Sequence, residues 1–192
     1  REPHIVDVAN FLNTTGANIK GAGTDIIKIT GVPTLPGNST YTIIPDQIEA
    51  GTYMLAGAIT RGDVRVCSII PKHMEPLAAK LQEIGVSVEE GDEWIRVHVP
   101  RDTVLSGASV KTMPYPGFPT DLQPQTTVLL CTCVGSSRMY ENVWENRFQY
   151  VDDLKMMGAD ITIAGRAAIL EGPFKLTGAR VPARDLRAGA AM

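Results

Sequence analysis

Asp121 follows Met113-Pro114-Tyr115-Pro116-Gly117-Phe118-Pro119-Thr120, three prolines and one glycine in eight residues. Prolines hold the backbone stiff, so this segment delivers a carboxylate to the start of the following helix with little freedom. Such a carboxylate can take a proton from a substrate hydroxyl, or it can be a plain helix N-cap. Glu145-Asn146-Arg147-Phe148 supplies a guanidinium, always charged and shaped to fork onto a carboxylate or phosphate. A surface ion pair is the plainer role for Arg147. Asp185-Leu186-Arg187 puts a cation in the first turn of a helix, where the helix dipole disfavours it. A bound anion or an ordinary salt bridge would account for that placement.

These residues are positioned by elements that repeat. Three segments share a helical apolar stretch, a glycine, a short strand, a turn and a second strand. The glycines are Gly16, Gly85 and Gly158, at intervals of 69 and 73 residues. Ile5, Val8, Ala9 and Leu12 before the first, and Leu77, Leu81 and Ile84 before the second, have helical period. Each glycine suits the left-handed position that ends a helix. The expected strand pairs are Ala17–Ile19 with Ile26–Ile29, Val86–Val88 with Trp94–Val99, and Ala159–Ile161 with Ala168–Leu170.

A second element recurs in phase. Asp46, Asp121 and Asp185 each open a helix, 75 and 64 residues apart, and each is a good N-cap. The apolar stretches Tyr53–Ile59 and Thr127–Val134 have almost no polar face and are expected to be buried helices with sheets around them. The third such helix begins at Asp185 and the sequence stops at Met192. From this periodicity the chain is expected to be a segment of a longer one, cut at both ends.

Composition excludes several classes. With 18 Lys and Arg against 21 Asp and Glu, a net charge of −3 gives no basic footprint, so no nucleic-acid partner is expected. No apolar run approaches the ~18 residues of a membrane span. Cys67, Cys131 and Cys133 are an odd set without framework spacing, which fits a reducing, cytoplasmic setting and small buried side chains. His4, His73 and His98 are scattered, so no metal site and no cofactor are expected. Without a signal-peptide pattern, the acceptor patterns at Asn13 and Asn38 read as chance matches.

The same motifs carry a family resemblance. Glu2-Pro3-His4-Ile5-Val6-Asp7-Val8-Ala9-Asn10-Phe11-Leu12-Asn13, Gly21-Ala22-Gly23-Thr24-Asp25, Pro45-Asp46-Gln47-Ile48-Glu49-Ala50-Gly51-Thr52, Pro114 to Gln123, Glu145 to Phe148 and Asp185-Leu186-Arg187-Ala188 resemble, in order and spacing, the motifs of the UDP-N-acetylglucosamine enolpyruvyl transferases. The resemblance implies an α/β fold of two inside-out barrels, each of three helix-plus-sheet units, present here incompletely. It implies transfer of the enolpyruvyl group of phosphoenolpyruvate to the 3-hydroxyl of UDP-N-acetylglucosamine, through a tetrahedral ketal, with loss of phosphate; this is the first committed step of peptidoglycan synthesis. By position, Asp121 matches the aspartate at the 3-hydroxyl, Val143 a residue on the UDP-sugar, Arg147 a cleft arginine, and Asp185 and Arg187 the segment beside phosphoenolpyruvate.

Departures accompany the match. The family's Lys-Asn pair and its mobile catalytic loop, the fosfomycin target, would precede Arg1, and a further arginine would follow Met192. Gln47 stands where many members have Arg, Arg184 where Thr is usual, and Gly189 where Ser or Ala is usual. Residues 1–44 are expected to be the last unit of the first barrel and 45–192 most of the second. The fragment is expected to be inactive without the missing N- and C-terminal parts. The shikimate-pathway enolpyruvyl transferase and a non-catalytic fragment are the alternatives.

Overall fold

The computed structural model describes residues 1–183 and 185–192. Three helix-and-hairpin units follow one another. The first is α1 (Pro3–Thr14) with β1 (Asn18–Lys20) and β2 (Lys28–Thr30). After α2 (Gln47–Ile59) and β3 (Asp63–Cys67) comes the second, α3 (Pro71–Ile84) with β4 (Ser87–Gly91) and β5 (Trp94–His98). After β6 (Ser109–Lys111), α4 (Gln123–Leu130) and β7 (Gly135–Tyr140) comes the third, α5 (Val151–Met156) with β8 (Ile161–Ala164) and β9 (Ala167–Gly172). The short α6 (Leu186–Ala191) is last.

The glycines between helix and hairpin do what the spacing predicts. Gly16, Gly85 and Gly158 have φ of 103°, 108° and 99°, a region side chains avoid. Each hairpin is antiparallel. In the two larger sheets the final strand of the unit lies in the middle, in the orders β3-β5-β4 and β6-β7-β9-β8. β6 runs parallel to β7, and α4 makes the crossover between them. Equivalent pairing in sheets from separate stretches of sequence is the structural form of the repeat.

Helices α2 and α4 lie inside, with the sheets outside them. Met54 and Ala58 of α2 and Leu129 and Leu130 of α4 have no accessible surface. β3 alternates half-buried Val64 and Val66 with exposed neighbours, and β5 buries Ile95 and Val97, so each strand turns one face to the helices. Close approach to α2 depends on its glycines. A Cβ at Gly51 would lie 2.6 Å from Leu122 Cδ1, and one at Gly57 would lie 2.9 Å from Val64 Cγ2 and 3.0 Å from Val97 Cγ2. Buried hydroxyls on α4 bond within the helix: Thr126 donates to the Leu122 carbonyl (2.7 Å) and Thr127 to that of Gln123 (3.0 Å). The Gln125 amide donates to the Thr52 hydroxyl of α2 at 3.1 Å, which ties the two inner helices together.

Some expectations need correction. The helix predicted over Thr127–Val134 ends at Leu130, and Cys131–Cys133 form the turn into β7. Tyr53, placed in a buried stretch by its apolar neighbours, points outward and is 58% exposed. Ile5, Val8 and Phe11 of α1 are also exposed, since α1 packs mainly on its own hairpin.

Cys131 and Cys133 are buried and Cys67 is exposed. Burial pushes the Cys131 thiol up to about 12, with the neighbouring Cys133 as the lesser cause. Burial likewise pushes Cys133 up to about 11. Both stay protonated and unreactive near neutral pH, because the thiolate is the nucleophile. Ellman's reagent will therefore titrate one thiol of the three in the native chain and all of them in denaturant. Gly57→Val will lower stability by about 1–3 kcal/mol in urea unfolding, since a branched side chain there meets half-buried Val64 and buried Val97.

Candidate functional site

Asp121 breaks the pattern of its repeat mates. Asp46 caps α2 by accepting from the Ile48 and Glu49 amides, at 2.7 and 3.3 Å. Asp185 caps α6 by accepting from the Arg187 and Ala188 amides, at 2.9 and 2.8 Å. Asp121 was expected to cap as well, but it sits inside a 3-10 turn, Thr120–Leu122, and its side chain caps nothing. Its Oδ1 accepts from Arg147 Nη2 at 2.7 Å and its Oδ2 from Arg187 Nη2 at 3.2 Å.

The unfavourable placement of Arg187 at a helix start is thereby explained: it pairs with Asp121 across 66 residues of sequence. Arg147 comes from the segment after β7 and is the more enclosed of the two, with 17% of its side chain accessible against 29% for Arg187. Each arginine spends one Nη on Asp121, and Arg147 gives its other, Nη1, to the Thr120 hydroxyl at 2.9 Å. Among the described residues Arg187 makes side-chain hydrogen bonds only to Asp121, so its remaining N–H groups are available to an anion. One carboxylate between two guanidiniums leaves this cluster with excess positive charge.

Two neighbouring hollows meet at Asp121. A cleft of about 650 Å³ is lined by Asp121, Val143, Trp144 and Arg187 together with Asp46, Gln47 and His73. The N-terminal segment contributes Glu2, His4 and Asp7 to it. Glu2 Oε1 accepts from the Tyr115 amide at 2.8 Å and so ties the start of α1 to the proline-rich approach to Asp121. Burial pushes His73 below the ordinary imidazole value, so it adds no cation at neutral pH. A second hollow of about 380 Å³ is lined by Asp121, Arg147, Tyr150, Asp185 and Ala188. Tyr150 is buried, its phenol pushed well above the usual value by desolvation, and it donates to the Thr127 hydroxyl at 2.9 Å.

The five residues singled out by sequence thus border the two hollows that share Asp121: Arg147 and Asp185 line the smaller, Val143 and Arg187 the larger. Asp121, Arg147 and Arg187 are in direct contact; Val143 lines the cleft; Asp185 holds the helix that carries Arg187. Gln47, which stands where many family members have Arg, lines the cleft. Arg184 lies outside the described residues. Sequence reasoning missed Glu141, Thr112 and Thr120. Glu141 is only 2% exposed, and Thr112 is fully buried. A signal was present: Ser137 and Met139 of β7 and Glu141 just after it alternate inward, as do Val110 of β6 and Ala108 and Thr112 on either side of it.

Inner helices enclosed by repeated small sheets form an arrangement that solved enolpyruvyl transferase structures share. The enolpyruvyl transferase NikO from Streptomyces tendae superimposes with a TM-score of 0.83 at 27% identity, covering 100% of this chain and 46% of that one. The whole chain, residues 1–192, matches the family of EPSP synthase (3-phosphoshikimate 1-carboxyvinyltransferase). UDP-N-acetylglucosamine 1-carboxyvinyltransferase 3 of Caldanaerobacter subterraneus subsp. tengcongensis is 60% identical over 192 residues, 100% of this chain and 45% of that protein. The UDP-N-acetylglucosamine 1-carboxyvinyltransferase of Desulfofundulus thermocisternus is 56% identical over 186 residues, 97% of this chain and 76% of that protein. The chain belongs to the EPSP synthase family of carboxyvinyl transferases, on the branch of the UDP-N-acetylglucosamine 1-carboxyvinyltransferases. It spans about half the length of most curated relatives it matches.

Asp185→Ala will remove the cap of α6, at a cost of about 1 kcal/mol of helix stability. Hydrogen exchange will show faster exchange at the Arg187 and Ala188 amides, which lose their acceptor, with little change in α2.

Proposed function

We propose that this chain is part of an enzyme that transfers the enolpyruvyl group of phosphoenolpyruvate to the 3-hydroxyl of UDP-N-acetylglucosamine and releases phosphate. The carrying observation is the carboxylate of Asp121, held between Arg147 and Arg187 at the edge of a cleft. The names of relatives at 52–60% identity support the sugar nucleotide as acceptor. In this reading residues 1–44 belong to one barrel and 45–192 to a second, with the substrates between them.

The chemistry follows from the cluster. A carboxylate oxygen offers more than one lone-pair direction, so each Asp121 oxygen can accept from an arginine and still face a substrate hydroxyl. In the first step the 3-hydroxyl gives its proton to Asp121 and its oxygen bonds to C2 of phosphoenolpyruvate, while C3 takes up a proton. The resulting tetrahedral ketal carries a carboxylate and a phosphate on one carbon. In the second step C3 loses a proton, the bond from C2 to the phosphate oxygen breaks, and phosphate departs. Arg147 and Arg187 favour both steps because guanidiniums stabilise the carboxylate and the leaving phosphate where water is scarce. Val143 and Trp144 offer apolar surface to the sugar nucleotide from the rim of the cleft. No residue of this chain is assigned to protonate C3.

Calorimetric titration with UDP-N-acetylglucosamine and with shikimate 3-phosphate tests the acceptor: the first will bind and the second will not. Preference for shikimate 3-phosphate would overturn the reading. In a complete transferase carrying these residues, Asp121→Asn will lower turnover roughly 10²–10⁴-fold, the usual range for losing a positioned general base. The 192 residues alone will release no phosphate above background when given both substrates.

A further inference from the structure

Behind the arginine–aspartate cluster lies a buried carboxylate that the transfer chemistry does not use. Glu141 follows β7, and its two oxygens receive four hydrogen bonds. Oε1 accepts from the Thr112 hydroxyl (2.8 Å), the Val143 amide (2.8 Å) and the Trp144 amide (3.0 Å). Oε2 accepts from the Thr120 hydroxyl at 2.8 Å. All four partners are donors, which suits an acceptor-only carboxylate.

The consequence lies in the threonines. A hydroxyl has a single proton to give. Thr120 gives its proton to Glu141, so the lone pairs of the same oxygen are what Arg147 Nη1 meets at 2.9 Å. Thr112 likewise gives its proton to Glu141 and accepts from the Asn142 amide at 2.9 Å. Glu141 therefore sets the direction of every hydrogen bond in a chain that ends at the guanidinium on Asp121. Its Oε1 also fixes the backbone that carries Val143 and Trp144 into the cleft.

We propose that Glu141 is the positioning residue of the site: through Thr120 it orients Arg147 against Asp121, and through the Val143 and Trp144 amides it holds the rim that meets the sugar nucleotide. The part concerning the sugar nucleotide rests on the function proposed above; the orientation of Arg147 does not. Glu141 touches no substrate in this scheme. An amide in its place has one acceptor and one donor end. Turned either way, it opposes a hydrogen to at least one of the four donors, and with nitrogen at the Oε2 position the Thr120 proton loses its acceptor.

The test uses Glu141→Gln, Thr120→Val, Thr120→Ser and the double variant Glu141→Gln/Thr120→Val in the full chain. The first readout is the nitrogen-15 spectrum of the Arg147 guanidinium, which needs no ligand. Hindered Nη rotation is expected in the parent and in Thr120→Ser, and free rotation in Glu141→Gln and Thr120→Val. The second is affinity for UDP-N-acetylglucosamine, expected to fall roughly 10–100-fold in Glu141→Gln and in Thr120→Val, as for loss of a charge-assisted hydrogen bond, and to be kept in Thr120→Ser. The double variant should be no weaker than Glu141→Gln alone, because both changes cut one relay. An unchanged guanidinium spectrum in Glu141→Gln, or losses that multiply in the double variant, would overturn the proposal. Thr120→Val leaves the other three donors of Glu141 in place, so the relay is tested even where Glu141→Gln does not fold. If the parent fails to bind the sugar nucleotide, the proposed function falls, and the guanidinium spectrum still decides whether Glu141 orients Arg147.

Discussion

One carboxylate shared by two guanidiniums is the contact on which the site depends. Arg147 and Arg187 come from segments 40 residues apart and carry like charge, and Asp121 lies between them and pairs with both. Charge-assisted pairs of this kind are directional as well as strong, and they hold the arginine planes where a second anion can meet them. The arrangement is partly open to solvent, so it is better understood as a device for orientation than as a source of stability.

The fold makes that meeting possible by placing equivalent elements side by side. α2, α4 and α6 each start near an aspartate, and α4 packs against both others. Two of the aspartates remain caps. At the middle one a 3-10 turn frees the carboxylate from the helix amides, and the repeat thus turns a structural position into a chemical one. Helices that pack this closely need small residues, and Gly51 and Gly57 of α2 admit Leu122, Val64 and Val97 to within contact of their backbone. Because Leu122 directly follows Asp121, the packing of the inner helices and the placement of the reactive carboxylate are linked.

A second layer stands behind the first. Glu141, Thr112 and Thr120 form a buried polar network in which the described donors and acceptors match. Buried networks with every member satisfied are rigid, because any rotation leaves a polar group without a partner. The Arg147 guanidinium gains its fixed geometry from that rigidity, while the cleft side of the cluster stays free for ligand.

Much of this was legible in the residues alone. The recurring glycines required left-handed helix ends, the Ile and Val alternation required strands, and helices without a polar face required burial; each follows from the local backbone or from the period of side chains. Asp121, Arg147 and Arg187 could be named as candidates because their types and their proline-rich or helix-start settings are local too. What local reasoning lacked was pairing across distance. It could not separate Asp121 from its capping repeat mates, because the arginines that take up its carboxylate lie 26 and 66 residues away in sequence. It took Tyr53 for a buried residue, because its apolar neighbours do not reveal which side of a helix has a partner. It passed over Glu141, whose role exists only when β6 lies beside β7 and brings Thr112 to its carboxylate. Sequence determined the units and their chemical endowment, since those depend on neighbours within a few residues; tertiary structure decided which charges meet, since a hydrogen bond forms only where two elements are brought within about 3 Å.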